Sequence, residues 1–194
     1  VDYRMAPEHV FPAAVHDAVA WWKELLDQGF NPSEVVFAGD SAGGGLALAC
    51  MLSAREQGLP LPAAAVLFSP WTDLTCSGET MRTKADVDVM FNPHSLPEAA
   101  AQYMAGQPLT HPLASPLFAD LHGLPPLMIH VSEHEILLDD SVRLHERALT
   151  QGVRSELHIK PKMPHVWPTM VMLPEARDTL RHCGEFIAQM TSRP

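Results

Sequence analysis

Apolar residues recur along this chain in two rhythms that take turns. Strand-like runs lie at 35–39, 63–69, 126–132 and 155–160, the first three rich in apolar residues as suits strands buried on both faces. Helical spacing covers Phe11 to Gln28, Gly43 to Gln57, Asp139 to Gln151 and Pro174 to Met190. Strands separated by helices predict an α/β fold with a mostly parallel sheet, because a helix is the usual crossover between parallel neighbours. One stretch breaks the rhythm. Between Trp71 and Pro125 the connection is too long for an ordinary loop and holds one predicted helix, Ser95 to Met104, among prolines and polar residues. There is no internal repeat and no low-complexity tract, so one domain spanning 1–194 is the expectation.

The most specific chemistry sits where the first apolar run meets the second helix. Val35-Val36-Phe37-Ala38 leads into Gly39-Asp40-Ser41-Ala42-Gly43, and small residues follow from Gly44 to Ala54. A turn that swings a serine hydroxyl clear of a sheet is crowded and strained, so small residues are needed on both sides of it. Gly39, Ala42, Gly43 and Gly44 meet that need. A nucleophilic serine requires a base, and His165 lies in a loop directly after the last predicted strand, Glu156 to Lys160. The base requires an acid to fix its tautomer, and the segment Ser132-Glu133-His134-Glu135-Ile136-Leu137-Leu138-Asp139-Asp140, which follows the apolar run Pro126 to Val131, is its source. All three groups thus come after strands. The carboxyl ends of strands form the ligand crevice of an open α/β sheet, and the order serine, acid, histidine is that of the α/β-hydrolases.

Three further segments give the resemblance its detail. Asp2-Tyr3-Arg4-Met5-Ala6-Pro7-Glu8-His9, then Phe11-Pro12-Ala13-Ala14, resembles the opening signature of the hormone-sensitive lipase family of esterases, the bacterial family IV. Gly39 to Gly44 is similar to that family's serine motif, and Ser69-Pro70-Trp71-Thr72-Asp73-Leu74 to its segment after the next strand. The resemblance implies an α/β-hydrolase fold with helices on both faces of the sheet and a small cap-like insertion at about 75–124. It implies a carboxylic-ester hydrolase acting on short-chain acyl esters, with Ser41 as nucleophile, His165 as base, and an acyl-enzyme intermediate. Aligning Glu135-Ile136-Leu137-Leu138-Asp139 with the family's acid segment puts Glu135 where relatives carry aspartate, with Asp139 and Asp140 as alternatives. The family's H-G-G-G segment, whose backbone N–H groups hold the oxyanion, does not occur here, and the chain begins with Val1. The expectation is therefore a carboxyl-terminal portion of a longer hydrolase. Ala42 N–H is then the remaining oxyanion donor, and activity of the portion alone is weak or absent. Trp71 and Trp167 are the expected substrate-binding aromatics, and Met90, Phe91, Tyr103 and Met104 are further candidates for an acyl pocket.

Charge narrows the partners. The formal net charge of −10 argues against nucleic acid and anionic membrane, which attract basic surfaces. No apolar run is long enough for a membrane span. Cys50, Cys76 and Cys183 are widely spaced and odd in number, which argues against a disulfide framework or a zinc site and for a reducing, cytoplasmic setting. No metal or organic cofactor is implied. A small-molecule ester is the expected partner, and the resemblance adds a homodimer through the stretch from Glu156 to Met190.

Each residue also has a plainer reading. Ser41 could merely cap a helix, and Asp40 is read as structural, turned toward a core-side hydrogen-bond network. Arg4 and Glu8 are expected to pair with each other, and Asp86 and Asp88 to sit in a solvated loop. Three rivals to the esterase remain: a non-catalytic small-molecule receptor, against which His165 argues; a peptidase or amidase with the same triad; and a silent fragment.

Overall fold

The computed structural model describes residues 1–191. Four strands, β1 (Val36–Asp40), β2 (Ala64–Phe68), β3 (Leu127–Ser132) and β4 (Ser155–Lys160), form one parallel sheet in the order β1-β2-β3-β4. The helices are α1 (Ala13–Asp27), α2 (Ala42–Glu56), α3 (Thr80–Thr83), α4 (Ser95–Met104), α5 (Leu138–Thr150) and α6 (Pro174–Thr191). Each predicted strand and helix is present, with ends displaced by a residue or two. The short α3 is an addition that four residues of sequence could not announce.

Side-chain alternation along the strands divides the helices between two faces. Ala65 and Leu67 of β2, with Leu127 and Ile129 of β3, pack on Leu48, Met51 and Leu52 of α2 and Leu144 and Ala148 of α5. Their neighbours Ala64, Val66 and Met128 face the other way, onto Cys183 and Phe186 of α6. The central strands β2 and β3 are therefore covered on both faces, as their continuous apolar runs require, whereas β1 and β4 at the edges are part-exposed. Helix α1 packs outside α2 through Val15, Val19 and Trp22, and the Trp22 indole donates to the Pro60 carbonyl at 2.9 Å.

The region 75–124 joins the main core. Leu96, Ala100 and Met104 of α4 pack with Phe11, Trp71 and Leu74. Phe11 N–H donates to the Tyr103 carbonyl at 2.8 Å. The opening segment is held by Arg4, whose partner is Asp17, with guanidinium to carboxylate at 2.7 Å. The expected Arg4–Glu8 pair is thus replaced by a longer-range one, because α1 brings the Asp17 carboxylate beside the Arg4 backbone N–H as well, at 2.9 Å.

Candidate active site

Ser41 lies between β1 and α2 with φ 51° and ψ −122°, a conformation costly for any residue with a Cβ. Four backbone bonds hold it there. Ser41 N–H donates to Phe68 O at 2.9 Å, while Ser41 O accepts from Trp71 N–H at 2.9 Å, Gly44 N–H at 3.0 Å and Gly45 N–H at 3.3 Å. The small residues are needed because backbones meet. A Cβ on Gly39 would stand 2.3 Å from Gly43 O, one on Gly44 2.8 Å from the Pro70 side chain, and one on Gly45 2.2 Å from Trp71 O. Gly43 itself has open space where a Cβ would go, so the close approach of its carbonyl makes a demand on Gly39 and none on position 43. Gly45 is the required glycine that the motif did not reveal, since its neighbour across the turn comes from a distant loop. Ser41 stands at the amino end of α2, yet its hydroxyl makes no capping bond. Ala42 opens α2, where the first N–H groups of a helix have no intrahelical acceptor and the dipole favours negative charge.

The acid and the histidine meet in a dry setting. His165 Nδ1 is hydrogen-bonded to Glu135 Oε2, and the two residues are 2% and 0% exposed. Glu135 Oε1 accepts from the Ser69 hydroxyl at 2.8 Å and from Ser132 N–H at 2.5 Å. Ser69 Oγ in turn accepts from Val166 N–H at 3.2 Å, so one hydroxyl joins the end of β2, the acid and the histidine loop. Ser69 and Val166 both have positive φ, at 46° and 52°, which is strained for residues of their type. The loops are laced together further back: Glu133 N–H donates to Lys160 O at 2.9 Å and the Ser132 hydroxyl to Met163 O at 2.5 Å. Phe91 sets its ring edge-on to the imidazole, with centroids 4.7 Å apart. The other ring nitrogen, His165 Nε2, is buried without a hydrogen-bond partner.

The alternative acids are engaged elsewhere. Asp140 Oδ2 accepts from Thr72 N–H at 2.7 Å and Asp73 N–H at 2.8 Å, and burial pushes its carboxyl up to about 7. Asp139 accepts from Thr80 N–H at 3.0 Å. Burial alone would raise Asp73, but the hydroxyls of Ser77 and Thr75 and the Arg143 guanidinium bring it below the usual carboxylate range. These three aspartates tie the loop after β2 to the first turn of α5.

Two clefts border the serine turn. One of about 550 Å³ runs along β1 and includes Tyr3, Trp22, Phe37, Ser41 and Leu46. The other, about 320 Å³, is lined by Ala42, Gly45, Trp71 and Tyr103 among others. Trp71 lines the smaller cleft. Trp167 does not: it is fully buried, with its indole 3.4 Å from the Thr179 hydroxyl under α6, because the residue after the histidine turn points into the molecule. Met104 is likewise core, whereas Met90 is exposed. Asp40 is exposed and its carboxylate has no hydrogen bond among the described residues, so it does not enter a core-side network. Asp88 exceeds its expected role: one oxygen accepts from Met90 N–H at 2.8 Å and the other from Ile136 N–H at 2.8 Å, beside Glu135.

A family model described as alpha/beta hydrolase fold matches residues 1–169, and the chain belongs to that family. Among individual proteins it is 45% identical over 190 residues to an acetyl-hydrolase of Streptomyces hygroscopicus, covering 97% of this chain and 64% of that protein. It is 36% identical over 196 residues to an esterase of Acinetobacter venetianus, covering 98% of this chain and 63% of that one. The solved structure of EstE5 soaked with p-nitrophenyl butyrate superposes with a TM-score of 0.95 at 50% identity, covering 99% of this chain and 65% of its own. An esterase from the bacterial hormone-sensitive lipase family gives 0.96 at 45%, covering 98% and 65%. The chain thus spans a little under two thirds of the length of these relatives.

Proposed function

We propose that the protein is a serine carboxylic-ester hydrolase for short-chain acyl esters. The observation that carries the reading is the buried Glu135–His165 pair, whose free Nε2 stands at the same end of the sheet as a serine held in a strained turn. Ser41 Oγ attacks the ester carbonyl as His165 Nε2 takes its proton, and Glu135 holds Nδ1 and stabilises the imidazolium that forms. Ala42 N–H donates to the oxyanion. His165 returns the proton to the departing alcohol, leaving the acyl group on Ser41. Water then attacks that ester as His165 takes its proton, and His165 returns the proton to Ser41 Oγ as the acyl–oxygen bond breaks, releasing the carboxylic acid and restoring the free serine. The steps use side chains, one backbone N–H and water.

Trp71 and Phe91 stand as walls near the reacting centre, and region 75–124 acts as the cap-like insertion that supplies Phe91. The names of the acetyl-hydrolase and esterase relatives support short acyl groups. The formal charge of −10 supports neutral substrates and disfavours nucleic acid. No helix among the described residues is long and apolar enough to cross a membrane. Cys50, Cys76 and Cys183 are free, which supports a reducing, cytoplasmic setting. A homodimer across β4 and α6 is supported by the exposure of Ile159, Leu180 and Ile187 there. Light scattering tests it, a single species at the monomer mass of 21.3 kDa refuting it.

Hydrolysis of p-nitrophenyl acetate and butyrate, beside the matching anilides and a Ser41→Ala control, tests the reaction. Ester turnover that disappears with Ser41 supports the reading. Turnover confined to anilides would make the protein an amidase, and turnover independent of Ser41 would overturn the mechanism.

A further inference from the structure

On the α6 side of the sheet, away from the serine turn, three histidines from three elements converge. His130 of β3 and His158 of β4 are register partners, and their rings stack at 4.7 Å with planes 22° apart. His182 of α6 closes over them, its ring 4.6 Å from that of His158 and 6.0 Å from that of His130. One nitrogen from each of the three imidazoles lies within 4.8 Å of the others. We propose that His130, His158 and His182 form a binding site for a divalent transition-metal ion, zinc above all.

Stacking alone leaves one atom unexplained. His158 Nε2 is buried with no hydrogen-bond partner, a cost that native structures rarely leave unmet. An ion satisfies ring nitrogens in this cluster. Imidazole suits zinc, nickel and copper, and three protein nitrogens plus solvent make a four-coordinate zinc site. At a Zn–N length of about 2.0–2.1 Å, nitrogens on a tetrahedral ion stand about 3.4 Å apart. The widest pair here draws in by at most about 1.4 Å, within reach of side-chain rotation by the half-buried His158 and His182. Acidic and thiol groups border the cluster: Glu156 Oε2 lies 3.8 Å from His158 Nε2, and Cys183 Sγ lies 3.5 Å from His130 Nε2. The Glu156 carboxylate supplies negative charge beside the ion or holds a water bound to it.

The site's position says what occupancy does. It joins α6 to β3 and β4, the strands that lead into the loops of Glu135 and His165, and His130 O accepts Ser69 N–H at 2.7 Å. A metal here is a clamp behind the acid–base pair rather than a participant at Ser41. Among the described residues no other such group of His, Cys, Asp or Glu occurs.

The test titrates metal-free protein with Co²⁺, whose ligand-field absorption reports four-coordination, and then displaces the Co²⁺ with Zn²⁺. The expected result is one saturable site per chain, a raised thermal midpoint with zinc, and affinity reduced at least ~100-fold in His182→Gln and His158→Gln, since even residues behind a metal's ligands cost up to that much. Far-UV circular dichroism checks that each variant is folded. Zinc protection of His158 and His182 against diethyl pyrocarbonate, located by mass spectrometry, needs no variant. The proposal is overturned if no saturable site appears, if folded variants bind as well as the native chain, or if zinc leaves both histidines equally reactive.

Discussion

The two sides of the candidate triad occupy the same end of the sheet in opposite surroundings. Glu135 and His165 are interior groups, enclosed by β3, β4 and Phe91 and braced through Ser69, Ser132 and Val166. Ser41 is half-buried just after β1, the outer strand of the described sheet, beside the larger cleft and the exposed Ala42 and Asp40. The acid–base pair is thus oriented by side-chain hydrogen bonds in a dry site. The serine is oriented by backbone bonds and by glycines that let strand, helix and loop touch. The two parts of the proposed site are thus positioned in two different ways, and each way fails to a different kind of substitution.

The largest effects come from removing the reacting groups themselves. Ser41→Ala and His165→Ala are each expected to lower kcat for p-nitrophenyl butyrate by about 10⁴-fold or more, and the double variant should be little worse than either alone. A double variant that multiplied the two losses would show that the serine and the buried pair work separately. Glu135→Gln keeps the shape of the site but removes the charge beside Nδ1. A fall of about 10³- to 10⁴-fold in kcat is expected, with circular dichroism unchanged.

Ser69→Ala probes the brace rather than the chemistry. Losing a hydrogen bond to a charged group costs about 1.5–3 kcal/mol, or roughly 10- to 100-fold, and this loss should fall on kcat with KM nearly constant. An equal change in KM would place Ser69 in substrate binding instead.

Glycine substitutions sharpen the backbone side of the comparison. Gly45→Ala forces a Cβ to 2.2 Å from Trp71 O and is expected to cost about 1–3 kcal/mol, seen as a drop of several degrees in Tm. Gly43→Ala meets open space and should leave Tm unchanged or slightly raised, although Gly43 belongs to the recognised motif.

A pH dependence from Asp140 tests the buried loop network apart from the reacting groups. Its folded-state value is raised to about 7 from 3.8, chiefly by burial, so folding takes up a proton between those limits. Its contribution to stability is complete below about pH 4 and is lost as pH rises through about 7, with a slope of at most about 1.4 kcal/mol per pH unit. Asp140→Asn cannot ionise. Urea unfolding of both proteins across this range should show a steeper decline in the native chain, and parallel curves would refute the assignment.

Much of this was legible in the sequence where local rules suffice. Continuous apolar strands, helical spacing and the crowded serine turn are short-range signals, and they put Ser41, an acidic segment and His165 after successive strands, whereas the choice of Glu135 within that segment rests on the family resemblance. What stayed hidden depends on contacts between distant segments. Trp167 reads as a loop aromatic near the histidine, and only the docking of α6 shows that its ring is enclosed. Ser69 reads as a turn residue until the loop with Val166 arrives beside it. Arg4 has Glu8 close by in sequence, but α1 delivers Asp17. The three histidines follow no metal-binding spacing because strand register and helix docking bring them together.

The most direct test of the central claim is covalent labelling by phenylmethylsulfonyl fluoride, an acyl-like trap for an activated serine, with the modified residue located by mass spectrometry. The account predicts a single adduct on Ser41, formed in the native chain and slowed by at least about 10³-fold in His165→Ala, as expected when an essential base is lost. Failure of Ser41 to react, or labelling of Ser41 at an unchanged rate in the histidine variant, would contradict it.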